Sequence, residues 1–321
     1  NEVAFGPSSA ASFPEGFQNN QAWAGLNSAR VRVMDLNGDG KPDRIGDDVT
    51  YFLSGGTQPY DNFGVQINSG SGFNADQSWP IETQSSTYYY AVDTFTGDLN
   101  AGRTSLLDIN GDGIPDRVMM SLNAPWNYFH VQFGTGTGFQ SARRFGPMAS
   151  QGGTNTVLWS GVESPYIHMV DLNGDGLPDR VMVPRSSSTG NPIQDVSMTN
   201  YVVEFNNGYG FEPQTWLGVY PQYSISYSNY ATVQKYPWVG LIDLNGDGLP
   251  DRVLPKQADS TKSTWLLYRN TGSGFDSVSN EISGIDIQNA VNVNNENWYG
   301  LQGVGNQQRM IYVNGHTITA M

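Results

Sequence analysis

The chain has 321 residues, no cysteine and a formal net charge of −14, with 16 Lys and Arg against 30 Asp and Glu. No basic stripe exists to meet phosphates, which argues against nucleic acid as a partner, and without cysteine no disulfide framework can staple the fold. No apolar run reaches the roughly 18 residues that a membrane-spanning helix needs.

The first predicted element is a short apolar strand at residues 31–34. It leads into the decapeptide that begins at Asp35 and ends at Arg44, followed by a second strand from Arg44. Residues 65–73 read as a third strand closed by an Asn/Gly-rich turn with Phe73 as an anchor, and 76–79 as an outer strand. The same unit then returns three times. Its strands are predicted at 104–107, 117–120, 131–139 and 142–145, then at 166–170, 180–183, 203–211 and 214–217, and finally at 238–242, 252–254, 267–275 and 276–282. The decapeptide recurs from Asp108, Asp171 and Asp243. The phosphate-loop appearance of residues 134–139 lacks the Lys and the helix such a loop requires, and its three sibling turns explain it better.

Each decapeptide offers hard oxygen ligands at its odd positions. In the third copy Asp171, Asn173, Asp175 and Asp179 supply side-chain oxygens, Leu177 its backbone carbonyl, and Gly176 the sharp turn between them. An all-oxygen set without Cys or His argues against zinc, and the number of protein oxygens argues for Ca²⁺ over Mg²⁺. Four filled loops would bring the net charge to about −6, so most of the acidity is metal site. Pro at position 8 of every loop (Pro42, Pro115, Pro178, Pro250) forbids the helix that follows an EF-hand loop, so the loops join strand to strand. Extracellular calcium modules fill at roughly 0.1–1 mM, which points outside the cell. A chain that begins at Asn1 leads to the expectation of processing from a longer precursor.

Units spaced roughly 60–75 residues apart suit four-stranded propeller blades. Residues 298–305 match 238–245, with Gly303 where Asp243 stands, and read as a fifth blade that has lost its metal loop. Residues 5–7 match the outer-strand ending at 145–147. The expected fold is therefore all-β, a single propeller over 1–321 of five four-stranded blades: 21–80, 81–147, 148–218, 219–283, and 284–321 with 1–20. The N-terminal strand joins the last blade and removes the open edges.

Loops of this pattern, followed by the Asn/Gly turn and Phe, resemble the FG-GAP/VCBS repeats of integrin-α-type propellers. They are more similar still to the repeats of bacterial virulence-plasmid B proteins, the B subunits of insecticidal toxin complexes and Rhs-type secreted proteins. The resemblance covers about residues 20–315. It implies four calcium sites: Asp35, Asn37, Asp39, Lys41 and Asp43; Asp108, Asn110, Asp112, Ile114 and Asp116; Asp171, Asn173, Asp175, Leu177 and Asp179; Asp243, Asn245, Asp247, Leu249 and Asp251. Position 7 would ligate through its carbonyl. It also implies a bacterial protein at the cell surface or outside the cell. No Rhs core or translocated toxin accompanies the repeats, so toxin delivery does not transfer with the likeness.

The expected function is that of a calcium-stabilised extracellular module, adhesin-like or lectin-like, that binds a protein or glycan. Tyr88, Tyr89, Tyr90, Trp126, Tyr128, Tyr223, Tyr227 and Tyr230 lie between repeat elements, where rings can stack on sugars or anchor a partner; packing between blades is the competing use. Two other classes compete with that function. One is an architectural subunit of a secreted toxin or surface assembly. The other is a polysaccharide-active enzyme, for which no pair of acids recurs at a useful spacing and His130, His168 and His316 read as structural. The position-10 arginines (Arg44, Arg117, Arg180, Arg252) are expected to screen the loop carboxylates or to pair with a neighbouring blade. The long insertion carrying residues 186–189 and Tyr201 is a candidate contact loop.

Overall fold

Short runs of β-branched and aromatic residues, punctuated by Gly, Pro and Asn, produce strands and tight connections throughout. The computed structural model describes residues 31–47, 62–82, 104–121, 124–148, 160–162, 167–182, 200–217, 240–255, 264–283, 310–313 and 316–319. The first sheet is formed by β1 (Val31–Met34), β2 (Asp43–Asp47), β3 (Asn62–Gln66) and β4 (Gln77–Pro80). The second contains β5 (Thr104–Leu107), β6 (Asp116–Met120), β7 (Phe129–Gln132) and β8 (Arg143–Phe145). The third contains β9 (Ile167–Val170), β10 (Asp179–Met182), β11 (Asn200–Asn206) and β12 (Phe211–Leu217). The fourth contains β13 (Gly240–Ile242), β14 (Asp251–Pro255), β15 (Thr264–Tyr268) and β16 (Asn280–Ser283). Each is an antiparallel meander whose spatial order follows the chain.

The all-β expectation and the four sheets are met. A fifth four-stranded sheet is not present among the described residues. The C-terminal part contributes a two-stranded hairpin, β17 (Met310–Val313) with β18 (His316–Thr319). Residues 1–7 and 298–305, which carry the expected closure and the metal-free loop, lie outside the described residues.

The second strand of each sheet starts one residue earlier than predicted, at position 9 of the decapeptide. Met34 pairs with Asp43, Leu107 with Asp116, Val170 with Asp179 and Ile242 with Asp251. Each acidic loop is thus the connection of a β-hairpin, and its last carboxylate already belongs to the ladder.

β6 and β10 are buried along their whole length, because other units cover both faces of those sheets. Three apolar clusters lie where consecutive sheets meet. Leu36, Ile45, Phe63, Val65 and Trp79 of the first unit receive Leu106 and Phe139 from the second. Val118, Phe129, Val131 and Phe145 of the second receive Phe211 and Met169 from the third. Leu172, Val181, Tyr201 and Val203 of the third receive Leu241 and Phe275 from the fourth. The turn phenylalanine therefore anchors into the preceding unit. Phe139 meets Trp79 edge-on at 5.6 Å, Phe211 meets Phe145 at 5.4 Å, and Phe275 meets Tyr201 at 6.4 Å. Burying such a ring contributes about 2–3 kcal/mol, and the edge-to-face contact adds about 1 kcal/mol more.

At the start of that turn three units have Asn (Asn68, Asn206, Asn270) and the second has Gly134. A Cβ at Gly134 would sit 2.4 Å from the Pro115 carbonyl oxygen and 2.7 Å from Ile114 Cγ2. Gly134→Asn, which would make the second unit match its siblings, should therefore destabilise the protein by about 1–3 kcal/mol in urea unfolding. A gain in stability would show that the backbone yields there.

Candidate metal centres and the junctions between sheets

The loops owe their shape to their first and last carboxylates. Asp108 Oδ1 accepts the N–H groups of Gly111 and Asp112 at 2.7 and 3.1 Å, and Oδ2 accepts that of Gly113 at 2.7 Å. Asp35, Asp171 and Asp243 repeat this arrangement. The Asn at position 3 accepts the position-5 N–H, and position 5 accepts the position-7 N–H. Gly at position 4, with φ between 75° and 81° across the four loops, supplies the left-handed turn that this winding needs.

The position-9 carboxylate has a duty that sequence reasoning missed. Asp43, Asp116, Asp179 and Asp251 are fully buried. One oxygen of each accepts the N–H of position 2 (Leu36, Ile109, Leu172, Leu244). The other accepts the N–H that opens the turn after the third strand (Asn68, Gly134, Asn206, Asn270) at 2.7–2.9 Å. One side chain so ties the loop, the second strand and the third strand together. Burial raises Asp116 to about 7; the two N–H bonds oppose the rise, and the charges of Asp112 and Asp108 add to it. Asp179 is raised to about 6 by burial in the same way, and Asp43 and Asp251 are raised too.

These residues fit a hard divalent cation by their donor chemistry. Every side chain at positions 1, 3, 5 and 9 offers oxygen and the backbone bonds hold the carboxylates in place; Oδ1 of each first aspartate is already filled by N–H groups, so spare acceptor capacity there lies on Oδ2, which accepts one. Burial is the main force pushing Asp116 toward neutrality, and the smaller contribution of the Asp112 and Asp108 charges is what a cation would offset. Among the described residues no three or more His, Asp or Glu side chains are gathered closely enough to hold a metal ion by themselves, so positions 3 and 7 and solvent would have to complete any shell.

Neighbouring loops touch. A Cβ at Gly111 would lie 2.8 Å from Leu177 Cδ2, and one at Gly174 would lie 2.8 Å from Leu249 Cδ2. Position 7 of one loop thus packs on position 4 of the loop before it, and Ile114 stands over Gly38 in the same way at 3.8 Å. The turn asparagines add a polar tie. Asn206 Nδ2 donates to the Ile109 carbonyl at 2.8 Å, and Asn270 Nδ2 donates to the Leu172 carbonyl at 2.7 Å. Each amide also reaches the Pro carbonyl of its own loop, Pro178 or Pro250. Asn68 makes the corresponding bond to Pro42. At the first junction Gly134 has no amide, and Arg117 and Gln132 substitute for it: Arg117 donates to the Glu82 carbonyl at 2.8 Å, and Glu82 N–H donates to Gln132 Oε1 at 3.0 Å.

The position-10 arginines are buried. Each lies across the ladder from a third-strand residue: Arg44 from Gln66, Arg117 from Gln132, Arg180 from Glu204 and Arg252 from Tyr268. The first three donate to that residue at 2.7–2.9 Å. Arg252 lies over the Tyr268 ring at 5.5 Å and donates to Tyr201 Oη of the third unit at 3.1 Å. Bonding within the sheet is their main role, and Arg117 and Arg252 also reach the preceding unit as expected.

Of the aromatic candidates, Tyr88, Tyr89, Tyr90, Tyr223, Tyr227 and Tyr230 lie outside the described residues, as do residues 186–189. Tyr201, expected in that insertion, is instead a buried residue of β11, packed in the apolar cluster of the third unit. Tyr128 is buried between the His130 ring at 5.1 Å and the Arg144 guanidinium at 4.4 Å, so its faces are spent on packing. Trp126 is half-buried at φ 54°, an uncommon backbone conformation for a bulky residue. His130 lies in β7 and His168 in β9, where burial pushes the His168 imidazole down to about 4; His316 opens β18. The one strongly exposed aromatic among the described residues is Tyr209, at the tip of the third turn.

No family model matches the chain. No curated protein matches it either. Among solved structures it is similar to a chain of the Photorhabdus luminescens Tc holotoxin pore, with a TM-score of 0.37 and 16% identity over 94% of this chain. It spans only 14% of that chain's length.

Proposed function

We propose that the chain is a calcium-stapled β-propeller-type module that works outside the cell as a rigid binding surface for a protein or glycan. The observation that carries this reading is the serial junction: three consecutive interfaces reuse one turn phenylalanine and one loop-on-loop contact, and two of them share an asparagine tie. Such an array puts all four acidic loops at the same end of their sheets, where calcium would brace every junction at once. Asn68 bears on ring closure. It makes the same local bonds as Asn206 and Asn270, which leaves its inter-unit bond for a unit that precedes the first sheet in a ring. The C-terminal unit of this chain is the occupant of that place in the five-unit reading.

Equilibrium dialysis against 1 mM Ca²⁺ with metal analysis tests the reading directly. About four Ca²⁺ per chain are expected, and a chain that retains none would end the calcium reading. Sedimentation of the loaded protein should show a monomer. Calcium-driven self-association without any ligand would instead identify an architectural subunit.

A further inference from the structure

The four loops differ at a single functional position. Position 7 is Ile114, Leu177 or Leu249 in the later loops, and each of these covers the glycine of the loop before it. In the first loop it is Lys41, whose chain passes the turn at Gly70 and whose Nζ donates to Asp39 Oδ2 at 2.9 Å. The same carboxylate oxygen in the other loops receives a neutral amide: Asn110 Nδ2 on Asp112 at 3.0 Å, Asn173 Nδ2 on Asp175 at 3.0 Å, and Asn245 Nδ2 on Asp247 at 2.8 Å. The first loop therefore carries a positive charge on a carboxylate that in the other loops meets only a neutral donor.

We propose that the first loop is the weak, last-filled member of the four cation sites and that Lys41 sets its threshold. This rests on the calcium reading above. A divalent ion entering between Asp35, Asn37 and Asp39 meets the ammonium a few ångströms away, so it must either bind against that repulsion or displace the ion pair. The later loops have no such competitor. Their position-7 side chains carry no charge and pack on the loop before, whereas the Lys41 chain lies beside the Gly70 turn of its own unit. Half-exposed, Lys41 is screened by salt, and the gap between the first site and the rest should narrow as ionic strength rises. As calcium rises, the later loops fill at concentrations that leave the first one open. The first sheet then becomes the part of the module whose order reports the calcium level.

Isothermal titration calorimetry of the full chain with CaCl₂ separates the possibilities. The wild type should show three tighter sites and one about tenfold weaker. Lys41→Met, which leaves the position-7 carbonyl in place, should bring the fourth site up to the others, and Lys41→Gln should do the same. Asp39→Ala should delete the weak site and leave the three tight ones. Unchanged isotherms in both Lys41 variants, or loss of a tight site in Asp39→Ala, would overturn the assignment while leaving four calcium sites standing. The absence of calcium heats from every variant and from the wild type would overturn the calcium reading itself.

Discussion

Glu204→Ala should lower the unfolding free energy by about 3–5 kcal/mol, the range for removing one partner of a fully buried ion pair. Arg180 and Glu204 are both wholly inaccessible and meet at 2.7 Å. With the carboxylate gone, the buried guanidinium loses the acceptor it meets at 2.7 Å, and burial alone is enough to lower Arg117 to about 10 in the sister sheet. The repeat supplies its own control. Gln66 and Gln132 occupy the equivalent place opposite Arg44 and Arg117 and accept the same bond. Glu204→Gln should accordingly cost only about 1–2 kcal/mol, since it keeps the acceptor and loses only the charge. Replacing both partners by Met and Leu should come close to neutral. Urea unfolding of these three variants decides the matter; equal losses for Ala and Gln would mean that the pair's charge, and not its hydrogen bond, holds the site.

Chelation should produce the other large effect. A site held at 100 times its dissociation constant stabilises the native state by about 2.7 kcal/mol, so four sites supply about 10 kcal/mol when they act independently. EGTA should then lower Tm by about 15 °C or more, and added CaCl₂ should restore it. The carboxylates bear on the direction. Burial raises Asp116 to about 7 and Asp179 to about 6, with the neighbouring loop charges adding a smaller part that a bound cation would offset. A melting curve that is the same with and without chelator would remove the structural role of calcium, whatever the affinity measured by dialysis.

The four sheets could be read from the sequence because each strand is short, local and bounded by the same punctuation. The loops were readable because their oxygen-bearing side chains recur at one spacing within ten residues. What stayed hidden joins distant parts of the chain: the Asn206 amide reaches a carbonyl 97 residues away and the Asn270 amide one 98 residues away. The only signal for this tie was the repeated Asn at the head of three turns, with Gly134 as the exception. The buried duty of Asp43, Asp116, Asp179 and Asp251 was masked because an aspartate in an acidic loop announces a ligand and not a clamp. Tyr128 shows the opposite limit. Its neighbours in sequence resemble a loop tip, and only the paired strands bring Arg144 and His130 onto its ring.

The tie made by Asn206 and Asn270 ends on a backbone carbonyl, at position 2 of the loop before it. A carbonyl is present whatever side chain stands there, so the donor does not depend on which unit it meets. The tie therefore fixes where one backbone sits against the next and leaves recognition between particular units to the apolar contacts beside it, such as Phe211 on Phe145 and Phe275 on Tyr201.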